Sequence, residues 1–324
     1  MKVFVTGGTG YIGRELIRQL LQHDNEVTAL IRNGNPRFHQ KGLTWKTCSL
    51  SDPDGLSGIM KGCSQLYHVA ALAKMWHPWP EEFFEVNVTG TRNAIEAAQR
   101  AGIRKMVYTS TAGVMSGSIN TPITEDDPIL EPFDDDYPAT KFMAERIVAQ
   151  AAQPGFETVI VNPPRVFGGI DNGVNAINNL IRSYLKRNFY IVPGDGSYQG
   201  NYAFIDDVVK GHMGAMAMGK SGERYIVGGE NHSYESFYEL VGVVTGKKNK
   251  PISVSRRLIS WVASASERWT QLTGREPAIT TAMANKIFSN RQLSCAKAIR
   301  DLNYSITPLA SGLDKTLQIL NDNG

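Results

Sequence analysis

The chain has 324 residues, 42% apolar and 20% charged, with a net charge of +3. That length accommodates one large α/β domain plus a smaller lobe. A charge this small, with no basic run interleaved with aromatics, argues against nucleic acid as a partner, and three cysteines (Cys48, Cys63, Cys295) without metal-type spacing read as buried thiols in a reduced compartment.

Val3, Phe4 and Val5 read as a buried strand. Met1 and Lys2 lead into it, so no signal peptide is expected, and no apolar run approaches the roughly 20 residues that span a bilayer. The expected location is therefore the cytoplasm. The turn Thr6-Gly7-Gly8-Thr9-Gly10-Tyr11-Ile12-Gly13 follows, then a helix from Glu15 to Gln22 with an apolar stripe of Leu16, Ile17, Leu20 and Leu21. A second strand, Glu26 to Ile31, ends at Arg32. Gly7 suits the tight turn, Gly10 the close approach of main chain to a pyrophosphate, and Gly13 the packing of helix on strand, with the phosphates at the positive helix end. The unit predicts dinucleotide binding. Arg32, with no carboxylate nearby, suits the 2′-phosphate of NADP(H), and NAD(H) is the alternative.

A strand at Leu43 to Thr47 leads to a helix from Pro53 to Met60, capped by Asp52 or Ser51. The strand Gln65 to Val69 ends in Ala70-Ala71, small enough for the chain to pass under a flat cofactor. One long helix, Glu81 to Ala101, contains Asn87 and Gly90-Thr91. Strands at Lys105 to Thr109 and Thr158 to Val161 continue the alternation, which predicts a doubly wound parallel sheet. From about Pro163 the alternation dissolves. Helices are expected at Val174 to Lys186, Asp206 to Met218, Tyr234 to Gly242, Arg256 to Leu272, Thr280 to Phe288, Cys295 to Leu302 and Leu309 to Leu320, with a strand at Arg224 to Val227. The expected division is residues 1–162 for the dinucleotide, with 201–228 returning to that part, and 163–324 mainly a smaller, mostly helical substrate lobe. That lobe would close over the carboxyl ends of the strands. Within it, Leu258, Trp261, Val262, Ala265, Trp269 and Leu272 form an apolar stripe preceded by Arg256-Arg257. Such a stripe is expected to be a core face; a helix lying on a membrane surface is the alternative.

Tyr137-Pro138-Ala139-Thr140-Lys141 carries the candidate chemistry. Pro138 suits the first helical position, and Asp134 to Asp136 suit a helix amino end. Tyr137 and Lys141, four apart, share one helical face. A nearby ammonium favours phenolate, so Lys141 is expected to draw the Tyr137 pKa down from about 10, as a proton donor or acceptor to a substrate oxygen requires.

With these motifs in order, the chain resembles the extended short-chain dehydrogenase/reductases, which have a Rossmann sheet. The glycine turn, His68-Val69-Ala70-Ala71, Asn87-Val88-Thr89-Gly90-Thr91, Thr109-Ser110-Thr111-Ala112, Tyr137 with Lys141, Asn162-Pro163-Pro164-Arg165-Val166-Phe167-Gly168 and Phe204-Ile205-Asp206-Asp207-Val208 all carry the likeness. The resemblance implies catalysis by Thr111, Tyr137 and Lys141. It implies cofactor contacts from Gly7, Gly10, Tyr11, Ile12, Gly13, Arg32, Leu50, Ala70, Ala71, Asn87, Thr109, Ser110, Tyr137, Lys141, Pro163 and Val166. Ser49 stands where many members carry an aspartate facing the adenine. Relatives often dimerise through helices equivalent to Tyr137–Gln150 and Glu81–Ala101, so a homodimer is an expectation too.

The likeness is strongest to the dihydroflavonol 4-reductase-like branch, on Gly222 to Asn231 and Leu272 to Pro277. Thr111 is followed by Ala112-Gly113 rather than the Asp-Glu of the 4,6-dehydratases. Gly200 stands where nucleotide-sugar enzymes place a phosphate-gripping arginine, for which Arg165 or Arg275 are the substitutes on offer. Trp76 and Trp79, Met115 and Phe133, and Tyr184, Tyr190 and Tyr198 lie on segments expected to face the substrate. Gly113, Gly117, Gly168 and Gly169 would let those loops close. The resulting expectation is an NADP(H)-dependent reductase of a small, hydrophobic or aromatic carbonyl substrate, with no metal and no nucleic acid. A sugar epimerase holding NAD tightly and a non-catalytic NADP(H) sensor are the alternatives.

Overall fold

The computed structural model describes residues 1–34, 36, 38–116, 121–170 and 175–322; Gly117 and Val174 lie outside them. The first half runs β1 (Lys2–Thr6), α1 (Tyr11–Gln22), β2 (Glu26–Ile31), β3 (Leu43–Thr47), α2 (Pro53–Met60) and β4 (Gln65–His68). Then come α3 (Glu81–Phe84), α4 (Gly90–Arg100), β5 (Lys105–Thr109), α5 (Asp136–Gln150) and β6 (Glu157–Asn162). The second half begins with β7 (Arg165–Phe167), α6 (Ala176–Lys186), β8 (Phe189–Pro193), β9 (Gln199–Phe204), α7 (Ile205–Met218) and β10 (Arg224–Ile226). It ends with β11 (Glu230–Ser233), α8 (Tyr234–Thr245), β12 (Lys250–Val254), α9 (Arg256–Thr273), α10 (Thr281–Ile287), α11 (Ala296–Leu302) and α12 (Leu309–Asp322).

Seven strands form one parallel sheet in the order β10-β6-β5-β4-β1-β2-β3. Alternation across β1 explains why the strand reads as uniformly apolar. Val3 and Val5 enter the core on one face and Phe4 the core on the other, so both faces are covered. The core on the Val3 face runs on without a break into Ile177, Tyr184, Phe237 and Leu313. The order reverses between β1 and β4, which opens a crevice at their carboxyl ends.

Three local differences from the sequence pattern have physical causes. The first helix starts at Tyr11 rather than Glu15, because the last glycine of the turn is already helical. Glu81 to Arg100 is helical throughout but not uniformly so: a π-helical turn, Glu85–Thr89, separates α3 from α4 and turns Asn87 fully inward. The carboxyl-terminal part also holds strands the periodicity did not predict. β11-β9-β7 make a three-stranded sheet and β12-β8 a two-stranded one; β11 and β12 have no fully buried residue and β9 buries Asn201 among its apolar residues, so no apolar run marks these three. Among the described residues no helix is long and apolar enough to cross a membrane.

Candidate active site

The glycine turn sits at the sheet's switch point. Gly7 has φ of +71°, and a Cβ there would lie 2.6 Å from the Ala70 nitrogen, so β1 and the end of β4 approach as only glycine permits. A Cβ on Gly13 would lie 2.2 Å from the Gly7 carbonyl oxygen. Gly13→Val is therefore expected to force α1 off β1, destabilising the protein by about 3 kcal/mol or more and abolishing nucleotide binding; denaturant titration and a nucleotide-binding titration check both. The Gly10 N–H donates to Gly7 O at 2.9 Å. No side chain caps α1 and no acidic residue occupies its first turn, so its positive end is open to an anion. Tyr11 Oη donates to Gly168 O at 2.5 Å, tying the turn to the loop after β7.

A buried hydrogen-bond chain fixes the crevice wall. Ala70 N–H donates to Thr6 Oγ1 (3.2 Å), and Thr6 Oγ1 lies 2.7 Å from His68 Nδ1. Across the ring, His68 Nε2 lies 3.1 Å from Thr91 Oγ1, which donates to Asn87 O at 2.6 Å. Because Thr91 gives its proton to Asn87, His68 must donate from Nε2 and accept at Nδ1. It is neutral, with burial, seconded by Lys141, pushing its pKa down to about 3. The Asn87 amide accepts from Leu72 N (2.8 Å) and donates to Thr140 Oγ1 (3.0 Å), joining this wall to α5. Leu50 packs on Gly90, and its carbonyl accepts from Asn93 Nδ2 at 2.8 Å. Ser49 Oγ is engaged by Ser51 Oγ at 2.7 Å. Arg32 is exposed just beyond β2.

The catalytic candidates converge where β5 ends. Thr111 Oγ1 accepts from Gly113 N at 3.0 Å and is hydrogen-bonded to Tyr137. Tyr137 and Lys141 face β5 from successive turns of α5, with Pro138 at its third position rather than its first. Lys141, 1% exposed, donates from Nζ to Thr109 O at 2.7 Å and lies 4.0 Å over the Tyr108 ring. Glu145, one turn further, is buried, pairs with Arg224 at 3.0 Å and accepts from Asn162 Nδ2 at 2.6 Å; the same Nδ2 donates to Thr111 O at 3.1 Å. Ser110 N donates to Val161 O (2.8 Å) and Ala112 N to Pro163 O (2.9 Å), while Val166 is buried in β7. Glu145, Asn162 and Arg224 were not anticipated as a unit. The signal was present only as a carboxylate four residues beyond Lys141, in register with Tyr137.

One expectation is corrected. Lys141 does not lower the Tyr137 pKa; burial, and secondarily Asp135, push it up to about 12, against a smaller downward pull from the Thr111 hydrogen bond. Lys141 yields instead, burial drawing it down to about 7 with Glu145 opposing. The ammonium has turned toward Thr109 O and the Tyr108 ring, so it does little to stabilise a phenolate.

The cleft walls divide the aromatic candidates. Tyr190 stacks on Tyr238 at 4.4 Å and Tyr184 on Tyr238 at 5.8 Å, so these pack the interior of the second half. Phe133 packs on Phe142, and Tyr198 meets Phe288 edge-on at 5.4 Å. Trp76 is half-buried, Trp79 exposed, and Met115 buried next to the Thr111 turn. Arg291, which the sequence pattern did not mark, donates from Nη2 to Ala112 O (2.8 Å) and Met115 O (2.6 Å), fixing that turn from across the cleft. Arg165 lies over the Tyr202 and Tyr234 rings and donates to Tyr202 Oη at 3.0 Å. A Cβ on Gly200 would lie 2.2 Å from its Nη1, so Arg165 occupies the space beside Gly200, whereas Arg275 is exposed beyond α9. A cavity of about 240 Å³ lined by Tyr11, Arg14, Phe38, His39 and Ile170 adjoins the start of α1.

Residues 3–228 match the model of the NAD dependent epimerase/dehydratase family. A protein named "Putative dihydroflavonol 4-reductase" from Synechocystis is 30% identical, over 99% of this chain and 95% of its own length. A 4-hydroxy-2-methyl-3-oxo-4-farnesyl-3,4-dihydroquinoline-1-oxide ketoreductase of Stigmatella aurantiaca is 31% identical over 94% of this chain and 92% of its own. Among solved structures, that of gox2253 has a TM-score of 0.82 at 28% identity and covers 99% of this chain and 98% of that one.

Proposed function

The chain belongs to the NAD-dependent epimerase/dehydratase family, and we propose that within it the protein is an NADP(H)-dependent reductase of a lipophilic carbonyl compound. It is an oxidoreductase of the extended short-chain type. The observation that carries the reading is the placement of Tyr137, Lys141 and Thr111 around the end of β5, beside the switch-point crevice.

The residues present fit a pyridine dinucleotide. Among the described residues Lys141 Nζ donates only to Thr109 O, so a deeply buried ammonium keeps protons for the hydroxyls of the nicotinamide ribose. Gly7, Gly10, Tyr11, Ile12 and Gly13 would hold the pyrophosphate on the α1 end, Ala70 and Ala71 would border it, and Arg32 would meet a 2′-phosphate. When bound, the nicotinamide supplies hydride to the carbonyl carbon. Tyr137 remains a phenol at neutral pH and gives its proton to the carbonyl oxygen, while Thr111 Oγ1 holds that oxygen in place. Glu145 and Asn162 act through Thr111 and Lys141 as positioning residues.

For the substrate, half-buried Trp76 offers apolar area and Gly200 offers no charge. The Stigmatella relative is named for a farnesyl-bearing ketone. The sugar-epimerase alternative draws on Arg165, but that guanidinium is already engaged by Tyr202 and stacked on Tyr234. A homodimer through the helical segment Glu81–Arg100 and α5 is supported by exposed Phe84 on the first and Met143 on the second.

The test is consumption of NADPH with a panel of polycyclic, aromatic and long-chain ketones. Turnover of a lipophilic ketone is expected; an inert panel, together with tightly held, non-exchanging NAD in the purified protein, would replace this reading with the epimerase. In the same assay Arg32→Glu is expected to weaken NADPH at least about tenfold, ~1.4 kcal/mol, and to leave NADH affinity unchanged. Equal loss with both nucleotides would remove Arg32 from the 2′-phosphate site.

A further inference from the structure

The apolar stripe of α9 is not a core face. Leu258, Trp261, Val262, Trp269 and Leu272 are all exposed, Trp261 to 70%, Trp269 to 58% and Leu272 to 83%; the helix is held to the protein through its other side, where Ala263 and Thr270 are buried. At 3.6 residues per turn the stripe, with Ala265, covers an arc of about 100°. Its setting is basic. Arg256, Arg257 and Arg268 on α9 and Arg275 just after it are exposed, and among the described residues none forms an ion pair. Arg257 and Arg268, eleven apart, fall on the same edge of the stripe. The single acidic residue of α9, Glu267, is turned away: its carboxylate accepts from Thr281 N (2.6 Å) and Thr281 Oγ1 (2.8 Å) at the start of α10.

We propose that α9 is an interfacial helix that docks the protein on an anionic membrane surface, with Trp261, Trp269 and Leu272 in the headgroup boundary and Arg257 and Arg268 on the lipid phosphates. A tryptophan-bearing apolar stripe with an unpaired arginine edge matches that interface in both polarity and charge. A second copy of the chain fits less well. The 18-residue helix offers a strip ~27 Å long and ~10 Å wide, roughly a third of the ~800 Å² each partner contributes to a standard interface. A twofold contact would also bring like charges together.

The docking helix connects to the catalytic site through α10. α10, packed on α9, pairs Lys286 with Asp135 at 2.5 Å, two residues before Tyr137, and Phe288 just after it meets Tyr198. Delivery of an apolar ketone from the bilayer rests on the reductase reading; the docking itself does not.

Flotation of the whole protein with vesicles tests the proposal without any activity measurement. Binding is expected to vesicles of phosphatidylcholine with phosphatidylglycerol, to weaken at high salt, and to be absent with phosphatidylcholine alone. Trp261→Ser with Trp269→Ser, and separately Arg257→Glu with Arg268→Glu, are each expected to lower binding at least about tenfold, with the thermal midpoint and nucleotide affinity unchanged. All four residues are exposed, so neither variant disturbs packing, and the salt dependence of the unmodified protein is an independent readout. No binding of the unmodified protein to anionic vesicles, or binding by either variant equal to that of the unmodified protein, overturns the proposal. So does a solution dimer that Trp261→Glu dissociates, which would assign the stripe to a second copy.

Discussion

Tyr137→Phe is expected to cut the rate of carbonyl reduction by about 10³-fold and to leave NADPH affinity essentially intact. The phenyl ring fills the same space at the second position of α5, so the substitution removes one oxygen and little else. That oxygen is the group hydrogen-bonded to Thr111 where β5 ends, and its raised pKa of about 12 keeps it protonated throughout the working range. In the reductive direction the rate is therefore expected to show no loss from Tyr137 ionisation across the neutral and mildly alkaline range. The reverse oxidation, which needs the same group as a base, is expected to rise with pH. Steady-state rates in both directions and a fluorescence titration with NADPH check this. Undiminished turnover in the phenylalanine variant would end the assignment of Tyr137 as the proton donor.

Lys141→Met is expected to lower both nucleotide affinity and turnover by at least about tenfold, and to change how stability depends on pH. The sign follows from the direction of the shift. Folding lowers the Lys141 pKa from 10.5 to about 7, so between those values the unfolded chain binds a proton that the folded chain releases. The Lys141 contribution to stability therefore rises with pH across that window, at most ~1.4 kcal/mol per unit, and below about pH 7 its full desolvation cost remains. Without nucleotide, the methionine variant is expected to be more stable than the unmodified protein at pH 6, the difference shrinking as pH rises toward 10.5. Denaturant unfolding at a series of pH values measures it. A constant difference between the two proteins would mean that Lys141 is not desolvated as the geometry indicates.

Much of the site was visible as contiguous pattern because its parts are local. The glycine turn works through main-chain geometry and the helix that follows it, all within Thr6 to Gln22. Tyr137 and Lys141 are related by one helical turn, a spacing that holds wherever the helix packs. The inner strands of the large sheet were legible because they are buried on both faces, giving runs such as Val3-Phe4-Val5, whereas the edge strand β3 has no fully buried residue. The strands β7, β8, β9, β11 and β12 were not, since they lie where strand and helix no longer alternate, β11 and β12 have no fully buried residue, and β9 buries Asn201 among its apolar residues.

The residue order by itself thus determined the parallel α/β architecture, the nucleotide turn and the pairing of a phenol with an amine on one helix face, because each follows from neighbours along the chain. Only the tertiary structure decided which way the Tyr137 and Lys141 protons lean, that Glu145 meets Arg224 behind them, that Arg165 fills the space beside Gly200, and that the stripe on α9 looks outward. These depend on what residues far along the chain bring to the same place: burial sets a pKa and packing sets exposure, and neither is a property of a segment alone.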